Sequence, residues 1–444
     1  MTETTTATRP SKTYHDELAI IRAELDKCMK CGNCMAVCPV YGVERKEAAV
    51  TRSKVAVAQA VLDGDLELDD PEVYEMAFNC LVCKSCMINC PTKVNFDHIM
   101  LALRAALVRK NGLPWLKKMI FSTLRHPKLF DAGMRLGATM QSLVFRSEKE
   151  SRAISPRSPF SLVGGTIGFD AERKLPGLNS TPLREQVPEV VRVTDPVASV
   201  AFFTGDSLNY FYPEAGRDLI EVLTANNIEV HIPKGQNCCG VPVLVHGDID
   251  TVRTLARNNI DVFEATGCDY LITGCGSCGG AWQHDYSELL ANDPIYGPKA
   301  EKWAKQTYDI STFLTRIVRL RAPQGRIDKV VTYHDSCHLK KSMGVAAEPR
   351  EILHLIPGVT FREMSAPDAC CGSGGSYVLT HFQTASTIGR KKAEDIDRTG
   401  AETVSVGCPA CMMQLLDNVH RFGAHQEVTH FISLLAESYR REKN

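Results

Sequence analysis

From Val197 to its C-terminus the chain is written twice. The first copy runs VASVAFFTG, PEAGRDLIEVLTANN, IEVHIP, QNCCGVP, DTVRTLARNNIDVFEATG, CDYLITG and CGSCGGAW. The second runs VVTYHDSC, PREILHLIPG, VTFREM, ACCGSGG, FQTASTIGRKKAEDIDRTG, AETVSVG and CPACMMQLL. Apolar strands alternating with amphipathic helices predict an α/β fold with parallel sheets flanked by helices, whose functional loops lie at the strands' C-terminal ends. Cysteines occupy those loops in register. Cys238 and Cys370 are 132 apart, as are Cys239 and Cys371, while Cys275 and Cys408, and Cys278 and Cys411, are 133 apart. Duplication explains this better than coincidence. Two domains are expected, 195–325 and 326–444, each bringing a CC pair and a CxxC pair to one sheet edge.

The second copy carries a fifth thiol, Cys337 in YHDSCHL, giving the set Cys337, Cys370, Cys371, Cys408, Cys411. Five thiolates exceed what one zinc or a simple cubane takes, so a non-cubane iron–sulfur cluster is the natural occupant and the candidate redox centre. Laying SVAFFTGD over VVTYHDSC gives an offset of 131 and sets Asp206 where the other copy has Cys337. The first copy then offers Cys238, Cys239, Cys275 and Cys278, with Asp206 as a candidate fifth ligand. Its site is a four-cysteine cubane, a cluster with a carboxylate ligand, or empty, and a hard carboxylate suits a soft iron–sulfur site less well than thiolate. The bland alternative is a vestigial copy with inert buried thiols.

Toward the N-terminus, CMKCGNCMAVCP and CLVCKSCMINCP repeat C-x2-C-x2-C-x3-C-P. Three thiolates on one short loop wrap one face of a cubane, and in two-cluster ferredoxins the fourth ligates the other cluster. The expected 4Fe-4S sets are Cys28, Cys31, Cys34 with Cys90, and Cys80, Cys83, Cys86 with Cys38. Zinc would need four thiolates, whereas two identical runs supply eight, with Pro39 and Pro91 following. Of the chain's 18 cysteines, only Cys268 stands apart, and it reads as a small buried hydrophobe. Such density in a large chain argues for metal chemistry in a reducing compartment rather than a disulfide framework.

A helix (TRSKVAVAQAVLDGDL) is expected between the two runs, within a helical ferredoxin-like domain over 21–146 that follows a flexible tail, 1–20. Its last part, Arg104 to Arg146, is helical and basic, and suits either a core helix with a solvated face or a membrane-surface or partner helix. Residues 147–194 are rich in Ser, Pro, Gly and charge and read as a linker. A formal net charge of −1 gives no electrostatic case for nucleic acid. With no apolar run of spanning length and no secretory leader in MTETTTATRPSKTYHDEL, the expected location is the cytoplasm, or peripherally the inner face of the cytoplasmic membrane.

GCGSCG also spells G-x-G-x-x-G through Gly274, Gly276 and Gly279, but its glycines share the CxxC loop and no acid follows at the distance a dinucleotide site needs. These glycines, with Gly372, Gly374 and Gly375, are better placed to let backbone N–H groups approach cluster sulfurs. His334 and His338 flank Cys337 and could move protons beside a redox centre, or merely fill space. No nucleophile elbow, P-loop or HExxH pattern occurs.

This order of motifs resembles the CCG-domain iron–sulfur proteins: the iron–sulfur subunit of glycolate oxidase, the corresponding component of anaerobic glycerol-3-phosphate dehydrogenase, lactate-oxidising relatives, and the CCG-domain component of heterodisulfide reductase. The resemblance covers about residues 20 to 440. CCGSGGSYVLTH and LARNNID look closest to the glycolate oxidase type. It implies an electron-transfer subunit of an oxidoreductase, serving an FAD-containing dehydrogenase subunit that oxidises a 2-hydroxy acid or glycerol 3-phosphate and passing electrons to quinone or a membrane cytochrome. The rival it implies is disulfide cleavage between two matched five-cysteine clusters. Asp206 speaks against matched clusters and so for the relay.

Overall fold

The structure, a computed structural model, describes residues 18–147, 153–157 and 172–442. The expected tail lies outside the described residues up to 17, as do parts of the expected linker, 148–152 and 158–171. Packing divides the chain into two compact units: Met1–Lys117 with Val243–Ile249, and Lys118–Pro242 with Asp250–Asn444.

The first unit is helical. Thr51–Asp63 sets Val55, Ala58 and Val61 on one buried face, at helical spacing. Gly64 ends it in the left-handed conformation, φ 84°, where its N–H closes onto the carbonyls of Ala60 and Val61. Pro71–Phe78 starts with Asp70 accepting from the Glu72 N–H and with proline in the first turn. Against these packs Phe96–Asn111, contributing Ile99, Met100, Leu103 and Leu107 to one core with Leu25, Val55 and Val73.

The second unit opens on the helix Pro127–Val144. Phe130 meets Tyr210 edge-on at 5.6 Å, Asp131 accepts from the Tyr210 hydroxyl, and Gln141 exchanges two backbone hydrogen bonds with Leu178 at 2.8 and 2.9 Å. The stretch read as linker contributes strands: an antiparallel ribbon β1 (Phe145–Ser147), β2 (Ala153–Pro156), β3 (Leu175–Pro176), then β4 (Val190–Val191).

Two sheets follow. The first joins β5 (Ala198–Phe203), β6 (Ile228–His231), β7 (Tyr270–Thr273) and β8 (Thr307–Asp309) in the order β4-β6-β5-β7-β8. The second joins β9 (Lys329–His334), β10 (Val359–Phe361), β11 (Thr403–Val406) and β12 (Glu427–His430) in the order β10-β9-β11-β12. Every pairing within the repeated strands is parallel, and β4 alone adds an antiparallel edge to the first sheet. The registers match across the copies. Phe203 pairs with Thr273, two residues before Cys275, and His334 pairs with Val406, two before Cys408. Counting three residues beyond each strand end therefore reaches Asp206 in one copy and Cys337 in the other.

The copies pack on each other through the last helix, Phe431–Arg441, which lies against Pro213–Ala225. Arg440 pairs with Asp218 and Glu221, and Asn226 Nδ2 donates to the Tyr439 hydroxyl at 3.2 Å.

Candidate metal centres

Each N-terminal cysteine run turns through two left-handed residues at matching places: Lys30 (φ 56°) and Gly32 (87°) in the first, Val82 (49°) and Lys84 (61°) in the second. Such residues curl the loop so that side chains three apart face inward. Valine in that region is strained, by about 1 kcal/mol or more. One cavity is lined by Cys38, Cys80, Cys83 and Cys86. A second is lined by Cys28, Cys31, Cys34 and Cys90, with Cys86 at its edge. The fourth cysteine of each run thus faces the three of the other.

Backbone donors point at these sulfurs: the Tyr41 N–H at Cys38 Sγ (3.5 Å) and the Val82 N–H at Cys80 Sγ (3.4 Å). Burial pushes the Cys38 thiol up to about 11 and Cys86 well above its ordinary value. Two buried cations stand behind the second run. Lys54, 1% exposed, donates to the Met76 carbonyl at 2.9 Å and to that of Asn79. Arg104 donates to the carbonyls of Ala77 (2.9 Å), Cys80 (2.8 Å) and Val245 (2.7 Å). Burial lowers the pKa of both, while the Cys80 thiolate raises it. Positive charge of this kind offsets the charge of clustered thiolates. Sequence reasoning missed both residues, because a lone Lys or Arg in a helical pattern looks like a solvated face.

In the second unit the sulfurs of the two copies form one connected row. Cys239 meets Cys238 and Cys278, Cys275 meets Cys278, Cys275 Sγ lies 3.7 Å from Cys408 Sγ across the copies, Cys408 meets Cys411, and Cys371 meets Cys411 and Cys370. Hydrogen bonds from neighbouring thiols hold Cys239, Cys371 and Cys408 well below the ordinary thiol range, the principal donors being Cys238, Cys370 and Cys275 respectively. The two CC loops share one device: the N–H groups of Gly240 and Gly372 each donate at 3.4 Å, to Cys238 Sγ and Cys370 Sγ. Both glycines sit near φ 88°, at 87° and 89°, a conformation that glycine adopts without strain. Asparagines pin the loops from behind, Asn259 Nδ2 to the Cys238 carbonyl at 3.0 Å and Asn418 Nδ2 to that of Cys371 at 2.9 Å. Their signal in the sequence is a polar amide in the middle of an otherwise apolar helix face.

Asp206 is half-buried at the row's end and hydrogen-bonds Cys238; burial pushes its carboxyl up to about 6. Cys337 is half-buried and begins the helix Cys337–Lys341. That helix lies on the first copy's CxxC loop, where the His338 ring reaches the Ser277 hydroxyl at 3.0 Å. A trio within 4.8 Å of one another comprises His334, Cys371 and Cys411, and Cys337 is not part of it. The glycines divide by role. A Cβ at Gly274 would meet Leu219 Cδ1 at 2.7 Å, and one at Gly276 would meet the Leu339 backbone N at 2.6 Å. Close packing on the Cβ side is what those two positions require. Gly374 takes φ 55°, while Gly372 does donate to a cysteine sulfur. Cys268 lies apart from these sites, its sulfur 3.5 Å from the Ser199 hydroxyl.

Donor chemistry fits iron–sulfur occupancy: soft sulfur donors converge in walled sites, and Cys239, Cys275, Cys278, Cys371, Cys408 and Cys411 are buried. Comparison with known proteins agrees. Residues 24–94 match the 4Fe-4S dicluster domain, and residues 200–282 and 331–416 match the cysteine-rich CCG domain. A probable glycolate oxidase iron-sulfur subunit of Bacillus subtilis is 28% identical over 426 residues, 94% of each chain. One subunit of the CoM/CoB fumarate reductase of Methanothermobacter marburgensis is 36% identical over 247 residues, 55% of this chain and 47% of that one. Lactate utilization protein A of Halalkalibacterium halodurans is 28% identical over 236 residues, 53% of this chain and 96% of its own. The chain belongs to the CCG-domain iron–sulfur proteins, with a 4Fe-4S dicluster domain ahead of two cysteine-rich domains.

Proposed function

We propose that the chain is the electron-transfer subunit of a flavin-linked dehydrogenase, serving an FAD-containing partner that oxidises a 2-hydroxy acid such as glycolate or lactate, or glycerol 3-phosphate. Quinone or a membrane cytochrome is the proposed acceptor. Clusters in the cysteine sites would supply one-electron transfer, which a two-electron flavin needs from its partner. Cys28, Cys31, Cys34 and Cys90 would hold one 4Fe-4S cubane, and Cys80, Cys83, Cys86 and Cys38 the other. Cys337, Cys370, Cys371, Cys408 and Cys411 would hold a non-cubane cluster, and Cys238, Cys239, Cys275 and Cys278, with Asp206, an altered one. The protein's own part is to bury the donors from water, to balance their charge with Lys54 and Arg104, and to orient the loops through Asn259 and Asn418.

The observation that carries this reading is the asymmetry of a continuous sulfur row, with Cys337 at the strand tip of one copy and Asp206 at that of the other. A relay tolerates two unlike centres. The names of the glycolate oxidase relative, aligned along 94% of both chains, and of the lactate utilization relative, aligned with 53% of this chain, support the substrate class. Anaerobic purification from the native source tests it: a flavoprotein should co-purify, and its substrate should reduce the iron–sulfur signals. Turnover of disulfides by this chain alone, abolished by Cys337→Ser, would replace the relay by the second reading, disulfide reduction. The 3.7 Å approach of Cys275 to Cys408 favours that rival, and Asp206 weighs against it.

Peripheral attachment is part of the proposal. Among the described residues no helix is long and apolar enough to cross a membrane. On Pro127–Val144, however, Leu129, Leu136, Met140 and Leu143 are exposed in one stripe opposite the packed Phe130, Asp131 and Gln141. Lys128 and the nearby Arg146 are exposed too, as are Arg135, which pairs with Glu185, and Arg125, which donates to the Thr251 hydroxyl; the helix's one acid, Asp131, accepts from the Tyr210 hydroxyl. An apolar stripe with cationic flanks suits an anionic bilayer surface.

A further inference from the structure

His334 closes β9 and is 1% exposed. Its Nδ1 lies 3.1 Å from the Pro367 carbonyl oxygen. A carbonyl only accepts, so Nδ1 donates to it and Nε2 is the ring nitrogen left to face Cys371 and Cys411. The ring stands with Cys371 Sγ and Cys411 Sγ in a trio whose donor atoms lie within 4.8 Å of one another. One nitrogen tied to a backbone carbonyl while the other faces soft donors is how metal-ligating histidines are held.

The first copy cannot do the same. Register places Phe203 at the equivalent point of β5, since Phe203 pairs with Thr273 as His334 pairs with Val406. Its ring packs edge-on against Trp282 at 5.7 Å and beside Phe263 at 5.6 Å. The copies therefore differ at two points around their sites, Asp206 against Cys337 and Phe203 against His334.

We infer that His334, through Nε2, is a nitrogen ligand of the metal centre in the second cysteine-rich domain, beside Cys371 and Cys411. The inference rests on that domain holding iron, and is independent of the partner and substrate. A neutral imidazole brings less negative charge to iron than a thiolate, so it raises the centre's reduction potential, as histidine ligands do in Rieske centres. Electrons would then rest preferentially on the second copy.

The test is pulsed electron paramagnetic resonance on protein labelled with 15N-histidine in an unlabelled background, in the state where the second-domain centre carries spin. Cys371→Ser identifies that centre's signal, and iron and sulfide analysis shows whether it is loaded. Expected are a 15N coupling to that signal, its loss in His334→Phe with iron retained, and a lower midpoint potential in His334→Cys, which puts a thiolate where the imidazole stood. Phenylalanine is the residue the first copy accommodates at this place. A loaded centre with no histidine coupling overturns the inference, as does a coupling that survives His334→Phe. Absence of iron from the second domain would overturn the inference together with the cluster assignment beneath it, and the analysis separates that outcome from the others.

Discussion

Gly276 is where the first copy's CxxC helix meets Leu339 of the second, and an alanine there has a calculable effect. Its Cβ would lie 2.6 Å from Leu339 N, 2.8 Å from Leu339 Cβ and 2.9 Å from Leu339 Cα. Ordinary carbon contacts are about 3.5 to 4.0 Å, so the helix Cys337–Lys341 must withdraw by about 1 Å. Backbone cannot rotate away, and overpacking of this kind costs about 1–3 kcal/mol. Alanine recovers up to about 1 kcal/mol of helix propensity over glycine. Three such contacts put the overpacking at the upper end of that range, about 2–3 kcal/mol, so the net is about 1–2 kcal/mol, which lowers the melting temperature by roughly 1.5–3 °C for a unit of about 300 residues. Gly279→Ala is the control. Its Cβ would meet Met343 at Sδ and Cε, the free end of a flexible thioether that can swing aside, and Thr273 Oγ1 at 3.0 Å, a contact relieved by a shift of a few tenths of an ångström. Calorimetry should show Gly276→Ala destabilised and Gly279→Ala within about 1 °C of the parent. Because Cys337 begins the displaced helix, the second-domain resonance signal should also change in Gly276→Ala alone. An unchanged melting temperature and spectrum in Gly276→Ala would refute the packing argument.

Three further outcomes are expected. Asp309 is fully buried, with burial pushing its carboxyl up to about 6, above the roughly 3.9 of an unfolded chain; stability is therefore lost as pH rises from about 4 through 6. Asp309→Asn, which keeps an oxygen to cap Ser311 N–H, should match the parent at pH 4 and exceed it at pH 8, by up to about 3 kcal/mol; equal denaturation midpoints at pH 8 would count against this. Asp206→Cys should add a further non-cubane signal, one without the nitrogen coupling of the second domain because Phe203 stands in place of His334, and Asp206→Ala should leave the second-domain signal intact; unaltered cluster content in Asp206→Cys contradicts the ligand-position assignment. Leu136→Glu with Leu143→Glu should cut sedimentation with phosphatidylglycerol vesicles at least tenfold without changing the melting temperature, and undiminished binding would remove the membrane reading of that helix.

Spacing carried much of this architecture in plain view. A cysteine run fixes which sulfurs one loop can converge, and an exact repeat fixes which strands correspond, so Asp206 could be set against Cys337 before any coordinates. The strand registers place the two at the same step beyond β5 and β9. What spacing does not carry is approach in space. Nothing along the chain says that Cys275 and Cys408 meet, because that depends on how one copy's CxxC helix packs on the other copy's strand tip. For the same reason the spacing does not show that Leu219 and Leu339 fill the room beside Gly274 and Gly276. Lys54 and Arg104 were illegible because burial of a cation is a tertiary event. Residues 127–144 gave an amphipathic pattern whose packed side could not be chosen, since leucines line the outer stripe and the inner contacts run through Phe130, Asp131 and Gln141.

The central claim is that this chain moves single electrons through unlike iron–sulfur centres. A potentiometric titration followed by low-temperature electron paramagnetic resonance, on anaerobically purified protein, meets it directly. The account predicts one-electron transitions of at least three centres: one lost in Cys31→Ser, one in Cys83→Ser and a distinct one in Cys371→Ser. A protein that holds zinc without sulfide and gives no such transitions would contradict it.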